Sequence, residues 1–537
     1  MKTRGYQDNL FREIIVVNFA GAGGADTGIE FALGQPVDIA VNHDADAIAM
    51  HKVNHPFTKH YQEDVFAIEP ENVTGGRPVG VAWFSPDCKH FSRAKGGKPV
   101  EKKIRGLSWV ILKWAMSKSA PRRIFMENVP EIQTWGPLKE IDGNLRPDPA
   151  REGETFKGFI AMLTTGIDKA HPAFLEACEF LKIEPFGAEA NKLAKGLGYE
   201  VKYEERKACI DGAPTIRNRF YMIARNDGEP IIFPKPTHGK GKDLLPYKTA
   251  ADCLDFSIHD KSIFNRSHSL AANTLARIAR GLKKFVINSP NPYIMSNNTG
   301  NAPHGIDEPV PTITTGNRNY LLTPYISKYF GGKYQAGARV DEPTPTITAI
   351  DHNALITPRL AAAHICTLRN NMDGQSALDP LSTITAAASH HAVVKSYFAK
   401  YEADGKSYGN WEQIRELLNK YAGYNIKNDE ILIFDINGEE YFLYDIGMRM
   451  LEPFELAAAQ GCPKDYILDI EPYIGKKYSK AKQVARIGNM VCPPVAAALI
   501  RANCADIAVR NNITTMSALH AEFEKTLRSN RSKKVVA

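Results

Sequence analysis

Between residues 14 and 128 the apolar positions switch between two spacings. Short, largely apolar runs at 14–19 (Ile14, Ile15, Val16, Val17, then Asn18 and Phe19), 39–42, 80–84 and 123–126 read as buried strands. The stretches 27–33, 46–52 and 107–117 between them carry the wider spacing of helices with an apolar face. This β-α-β-α rhythm predicts an α/β fold, a doubly wound and mainly parallel sheet with helices on both faces. Ligands of such sheets bind outside the carboxyl ends of the strands. Gly21 to Gly24, Asn42 to Asp44, Asp64, Cys88 and Glu127 all fall at or soon after those ends.

The pattern changes further on. Residues 138–190 are polar, rich in Gly, Pro, Lys and Glu, and read as an insertion of helix and loop. Strand spacing resumes at 199–203 and 219–224. From 288 to 395 a motif repeats: Asp307-Glu308-Pro309 leads to Thr312-Ile313-Thr314, Asp341-Glu342-Pro343 to Thr346-Ile347-Thr348, and more loosely Asp379-Pro380 to Thr383-Ile384-Thr385. Each copy starts with a strand-like segment (Tyr293, Tyr325, His364), which suggests stacked β hairpins, since one such unit cannot bury its own apolar face. Residues 431–436 and 440–444 flank Asn437-Gly438, a strong hairpin signal, after a predicted helix at 412–420. Core-like sequence returns near 480, with a turn expected at Gly488-Asn489-Met490 and a helix over 494–502. The expected domains are therefore 1–287 (with 138–190 inserted), a β-rich domain over 288–475, a return to the first domain over 476–510, and a frayed basic tail over 511–537.

Composition narrows the class without deciding it. The chain has 537 residues, 43% hydrophobic and 24% charged, which suits a large globular protein of two or three domains. No apolar run reaches membrane-spanning length and residues 1–10 lack a signal-peptide core, so a cytoplasmic protein with no membrane partner is expected. The net charge of +7 permits a polyanionic partner. The eight cysteines form no C-x-x-C pair, so neither a metal site nor a disulfide framework is expected.

One cysteine stands apart. Cys88 lies in a Pro-containing loop (Ser85-Pro86-Asp87-Cys88) after an apolar strand, where a core thiol is not expected. Glu127 ends the next apolar strand, and the glycine-rich turn Phe19-Ala20-Gly21-Ala22-Gly23-Gly24 precedes both. A thiolate, a carboxyl acid and a cofactor loop suit methylation of a pyrimidine ring carbon. C5 of cytosine becomes nucleophilic only after a thiolate adds at C6, with an acid at N3 to accompany the addition.

At this point the chain resembles the DNA cytosine-5 methyltransferases, whose motifs occur here in the family's order. Phe19, Ala20, Gly21, Gly23 and Gly24 resemble the S-adenosylmethionine loop, and Asp64 with Val65 the residues at the adenine. Pro86 and Cys88 resemble the nucleophile loop, and Glu127-Asn128-Val129 the acid motif. Arg217 and Arg219 resemble the paired arginines near the base. Arg449, Leu451, Glu455, Gln460, Gly461 and Pro463 resemble the helix bracing the recognition domain, and Asn489 and Val491 the last motif, returning to the cofactor. The resemblance implies S-adenosylmethionine as cofactor, a cytosine flipped out of double-stranded DNA, Cys88, Glu127, Arg217 and Arg219 as catalytic residues, and a target-recognition domain over 288–475. It also implies a monomer of bacterial or phage type, with a cognate restriction endonuclease as a possible partner.

Three positions depart from the family. Asp87 replaces the usual Pro before the nucleophile, and a carboxylate aimed at the thiol disfavours its thiolate. Asn42, with Asp44 two residues on, stands where an acidic residue often holds the ribose. Thr215 stands where Gln is common. The competing readings are the same chemistry on RNA, a catalytically silent DNA-binding homologue (motivated by Asp87), and a nicotinamide oxidoreductase. The last lacks the spaced G-x-G-x-x-G turn and leaves Cys88, Glu127 and Arg217 without a role.

Overall fold

The computed structural model describes residues 12–87, 105–141, 143–288, 293–294, 304–305, 325–328, 338–339, 353–356, 360–368, 374–377, 379–385, 391–401, 408–436, 439–471, 478–509 and 513–536. Cys88, the Thr-Ile-Thr segments of the first two repeats and the Asn437-Gly438 turn lie outside the described residues. The chain divides into two compact units. The first is Met1–Lys248 with Pro380–Ser389 and Pro453–Ala537; the second is Thr249–Asp379 with His390–Glu452. The change in sequence character near residue 288 thus falls inside the second unit.

The first unit is built on a seven-stranded sheet. Its strands are β1 (Ile14–Asn18), β2 (Ile39–Val41), β3 (Lys59–Tyr61), β4 (Val79–Phe84) and β5 (Arg123–Asn128), followed after a small hairpin of β6 (Leu138–Ile141) and β7 (Asn144–Pro147) by β8 (Glu200–Lys207) and β9 (Asn218–Arg225). The order is β3-β2-β1-β4-β5-β9-β8. Strands β1 to β5 run parallel, whereas β9 is antiparallel to both β5 and β8. The strand order reverses between β1 and β4.

Alternation along β1 shows why both faces are covered. Ile14 and Val16 enter one apolar layer, with Phe84, Trp109 and Trp114; Ile15 and Val17 enter the other, with Trp83 and Ile29. Helices α1 (Gly24–Leu33), α2 (Ala45–Asn54), α3 (Pro70–Thr74) and α4 (Val110–Met116) connect the parallel strands. The polar insertion is the β6–β7 hairpin followed by α5 (Glu154–Leu163), α6 (Pro172–Leu181) and, just past it, α7 (Ala188–Lys195). The unit closes with α8 (Pro453–Ala459), α9 (Lys480–Asn489), α10 (Pro493–Asn503) and α11 (Met516–Val536).

Three sequence expectations change here. Gly488 and Asn489 are not a turn but the last residues of α9, and only Met490 is extended. The tail is helix rather than frayed coil. Asp465 caps its start through the Met516 and Ser517 N–H groups, and Leu519 and Phe523 are buried. Residues 480–503 do have the length and apolar content to cross a membrane, but they form two helices split at Met490–Cys492, and 72% of the apolar window is buried inside the protein.

The second unit is an antiparallel sheet of six strands. The strand His391–Lys400 lies between Leu360–Thr367 and Glu439–Met450; Gln375–Ser376, Lys261–Ser262 and Ile433–Ile436 complete it. Helices Ala272–Leu282 and Trp411–Ala422 cover one apolar layer. Tyr293 and Tyr325 each open a short antiparallel strand, as the repeat pattern predicts, and His364 sits within Leu360–Thr367. The third repeat copy behaves differently: residues 380–385 belong to the first unit, where Leu381 and Ile384 are buried.

Candidate active site

The site gathers at the carboxyl ends of β1, β4 and β5, in the first unit. After Asn18 the backbone turns sharply, with Phe19 (φ 58°), Gly21 (57°) and Gly23 (95°) in the left-handed region. The Ala20 N–H donates to the Val41 carbonyl (3.1 Å) and the Gly23 N–H to the Ala20 carbonyl (3.0 Å) before α1 begins at Gly24. Gly23 is required twice over. Its φ is positive, and a Cβ there would lie 2.4 Å from Nε2 of His55. At Gly24 a Cβ would lie 2.2 Å from both Cγ of Met490 and the Val491 carbonyl. The absent side chain is what lets the C-terminal segment approach the turn, so Gly24 and Val491, far apart in sequence, come together.

The acid motif is equally well anchored. Glu127, 7% exposed, is the last residue but one of β5, opposite Tyr221. Nε of Arg219 is 3.3 Å from its Oε1, and Nη2 of Arg217 is 3.9 Å away. Nη1 of Arg217 donates to the carbonyls of Ile384 (3.2 Å) and Gly488 (3.0 Å). Asn128 donates from Nδ2 to the Pro86 carbonyl (3.2 Å) and accepts from the Val129 N–H (2.8 Å). The acid strand therefore holds the start of the loop that carries Cys88. Pro86 is buried and Asp87 half-buried. Thr215, wholly buried, donates to the Leu381 carbonyl (2.8 Å), so the third repeat copy is tied to the segment that leads through Arg217 into β9.

The other expected binding residues are more dispersed. Oδ1 of Asn42 accepts the Asp44 N–H (2.9 Å). Asp44 caps α2 through the Asp46 and Ala47 N–H groups and pairs with Nη1 of Arg486 at 2.6 Å. Burial works against its charge, but Arg486 and the two N–H groups outweigh that and lower its pKa. The Asp44 carboxylate is thus engaged within the protein. Asp64 is exposed in the loop after β3, accepting the Phe66 N–H (3.0 Å), and Val65 beside it is buried. Asn489 is exposed at the end of α9. Of the bracing-helix motif, Glu455 is fully buried, and Gln460 bridges the Ile487 carbonyl (3.0 Å) and the Cys492 thiol (2.9 Å). Arg449 lies in a strand of the second unit instead, donating to the Asp255 carbonyl.

Sequence reasoning missed a group of buried charges beneath the glycine turn. Asp26 and Glu30 on α1, His51 on α2 and His55 at its C-terminal cap are all at most 1% exposed. Nε2 of His51 is 3.0 Å from Asp26 and its Nδ1 is 2.8 Å from Nε2 of His60. Nδ1 of His55 is 2.9 Å from Glu30, and its Nε2 is 3.1 Å from the Gly23 carbonyl. The signal was present as two acids four apart on one apolar helix, a spacing that puts them on one face, and two histidines four apart across the end of the next.

The crevice fits a bound cofactor. The strand order reverses between β1 and β4, where such sheets take ligands. At that point the side chain of Asn18 is wholly buried with neither its Nδ2 nor its Oδ1 hydrogen-bonded, a polar group without a partner inside the protein. Among the described residues no cluster of His, Cys, Asp and Glu has the arrangement of a metal site.

Residues 17–140, from β1 through the acid motif, match the family of C-5 cytosine-specific DNA methylases. A Type II methyltransferase from Haemophilus parahaemolyticus, M1.HphI, is 24% identical over 240 residues, covering 44% of this chain and 50% of that protein, so the chain spans about half the length of that relative. Among solved structures, a protein assigned as a DNA modification methyltransferase of an E. coli prophage aligns at a TM-score of 0.40 with 15% identity, over 91% of this chain and 98% of the other. A DNMT2 mutant from Spodoptera frugiperda aligns at 0.42 with 13% identity, over 91% and 99%. The segment that carries the glycine turn and the acid motif, residues 17–140, is thus the part of the chain that matches the C-5 cytosine-specific DNA methylase family.

Proposed function

We propose that this protein is a DNA cytosine-5 methyltransferase that uses S-adenosylmethionine. The observation that carries the reading is the acid motif: a buried Glu127 faced by Arg219 and Arg217, on a strand whose Asn128 holds the Pro86 loop. That arrangement ties the acid strand to Pro86, two residues before Cys88, which supports attack at C6 with assistance at N3. The relative's name, a Type II methyltransferase, favours double-stranded DNA over RNA and a restriction–modification setting.

In this reading the turn at 19–24, with Asn42, Asp64 and Val491, holds the cofactor, which supplies an electrophilic methyl group when bound. The second unit is the target-recognition domain and faces the major groove, where neighbouring bases can be distinguished. A cytosine swings out of the duplex into the crevice. The Cys88 thiolate adds to C6 while Glu127, oriented by Arg219, serves N3. C5 then carries the new electron density and takes the methyl group. A base removes the C5 proton, the C6–S bond breaks, and the thiolate is restored. The net change is one methyl transferred and one proton released. Arg217 is the base-side arginine that also keeps α9 and residues 381–384 in place.

Methyl incorporation into duplex DNA and into tRNA tests the substrate, and trapping on DNA containing 5-fluorocytosine tests the nucleophile. Methylated C5 positions in DNA are expected, with a covalent adduct that disappears in Cys88→Ala. An adduct that persists in Cys88→Ala removes Cys88 from its role, and incorporation into tRNA alone moves the activity to RNA.

A further inference from the structure

The glycine turn rests on a buried histidine whose two ring nitrogens both face acceptors. Nδ1 of His55 points at the Glu30 carboxylate (2.9 Å) and Nε2 at the Gly23 carbonyl (3.1 Å). Neither acceptor can donate. The Thr27 hydroxyl, 3.4 Å from Nε2, already donates to the same Gly23 carbonyl at 2.8 Å. Only the doubly protonated ring satisfies both contacts. Deprotonated, the ring keeps one N–H. If that proton stays at the carboxylate, the bare Nε2 lone pair faces the Gly23 oxygen inside a fully buried site.

We propose that His55 is a buried imidazolium that acts as the positioning residue of the glycine turn, so that losing its proton loosens the turn and weakens its hold on S-adenosylmethionine. The inference rests on the methyltransferase reading for the identity of the cofactor. Gly23 is the last residue before α1, and its carbonyl also accepts the Thr27 N–H (2.9 Å). A shift there moves the start of the helix and the turn together.

The surrounding charges support the assignment. From α1, Asp26 and Glu30 face the ring; from α2, the His51 ring lies 4.5 Å away between centroids, tilted by 43°. His60, from β3, is pushed down to about 3 by burial and by the charges of its neighbours His51, His55 and Lys52, so it stays neutral. Tyr466, whose hydroxyl donates to the Ala22 carbonyl, and Cys462 near it are held protonated by burial. Burial alone disfavours a charged His55, but Glu30, its hydrogen bond, Asp26 and the Gly23 carbonyl outweigh it and raise the pKa. Two buried carboxylates need this compensation.

The test is calorimetric binding of S-adenosylhomocysteine to the full chain across the neutral and alkaline range, for wild type and His55→Gln. Gln can donate to the Gly23 carbonyl without titrating. The amine of the ligand titrates identically against both proteins, so the ratio of their affinities isolates His55. That ratio is expected to fall by about fivefold or more as pH rises, the lower part of the usual range for coupled sites. Hydrogen exchange of the turn amides in ligand-free wild type, corrected for intrinsic rates, is expected to lose protection over the same interval. Binding with a pH-independent ratio and unchanged protection overturns the clamp while leaving the function intact. Absence of binding at every pH overturns the cofactor assignment instead. Should His55→Gln not fold, wild-type exchange decides alone: protection that is constant with pH refutes the proposal.

Discussion

Gly24→Ala probes the junction on which both the turn and the C-terminal segment depend. The added Cβ would sit 2.2 Å from Cγ of Met490 and 2.2 Å from the Val491 carbonyl, whereas ordinary contact begins near 3.4 Å. The Met490 side chain can rotate away. The Val491 oxygen cannot, because it is backbone between α9 and α10, and Val491 and Cys492 are both buried. The segment must therefore back away from α1 by roughly 1 Å. Overpacking of this kind costs about 1–3 kcal/mol. Replacing Gly by Ala returns at most about 1 kcal/mol of helix propensity, and less at the first residue of a helix. Destabilisation wins, by about 1–2 kcal/mol. The functional effect should be larger, since a 1 Å misplacement near reacting groups can cost about 100-fold in rate.

Urea unfolding followed by tryptophan fluorescence reads the first part of this effect. Four of the five tryptophans (Trp83, Trp109, Trp114 and Trp135) are buried in the first unit, so the signal reports mainly on that unit. Methyl-transfer rate and cofactor affinity read the second. A variant with an unchanged or higher midpoint and wild-type affinity for S-adenosylhomocysteine would show that the approach of Val491 to the turn does not set its geometry.

Other perturbations separate the remaining contacts. Arg217→Ala removes two hydrogen bonds from a charged donor to buried carbonyls, worth about 1.5–3 kcal/mol each, so the urea midpoint of the first unit should fall markedly; a midpoint equal to wild type refutes the tie to Gly488 and Ile384. Asn18→Leu replaces an unpaired buried amide, which costs about 1–3 kcal/mol, with an apolar side chain of similar size, so ligand-free protein should gain stability; a lower midpoint means the amide has a partner. The buried charges also set a pH window. Asp26 is lowered, because His51 and His55 outweigh the effect of burial, so its contribution is present above the unfolded carboxylate range and lost as pH falls through the folded value. His55 is raised, so its contribution is complete below the ordinary histidine range and lost as pH rises through its folded value. Stability of the first unit should fall on both sides, and Asp26→Asn should weaken the acid limb; a flat profile refutes the charge assignment.

What could be read from the chain was local. Apolar runs at 14–19 and 123–126 marked β1 and β5 because fully buried strands need no polar face, and the glycines of the turn marked a backbone that only small residues allow. Strand direction was not legible, since period-two spacing is the same whichever way a strand runs; the antiparallel β9 emerges only from pairing. Gly488-Asn489 looked like a turn, but Arg217 takes the Gly488 carbonyl, one of those a helix end leaves without a partner, and α9 runs on to Asn489. The third repeat copy resembled the other two, yet Thr215 draws residues 381–385 into the first unit. In each case a contact between distant residues overrode a sound local expectation.

The same reasoning explains why the glycine turn needs so much of the chain behind it. A turn made of Gly and Ala has no side chains with which to fix its own carbonyls, and its flexibility works against holding any single shape. The Ala20 carbonyl is held by the Gly23 N–H within the turn, but those of Ala22 and Gly23 are held from outside it, the first by the hydroxyl of Tyr466 and the second by His55 and Thr27. Met490 and Val491 close against Gly24 from the other side. Tyr466, Met490 and Val491 all come from the segment after Glu452, which returns to the first unit. The turn is therefore shaped by residues more than four hundred positions away, and a fragment ending at Glu452 would keep every glycine of the motif while losing the contacts that give it a defined shape.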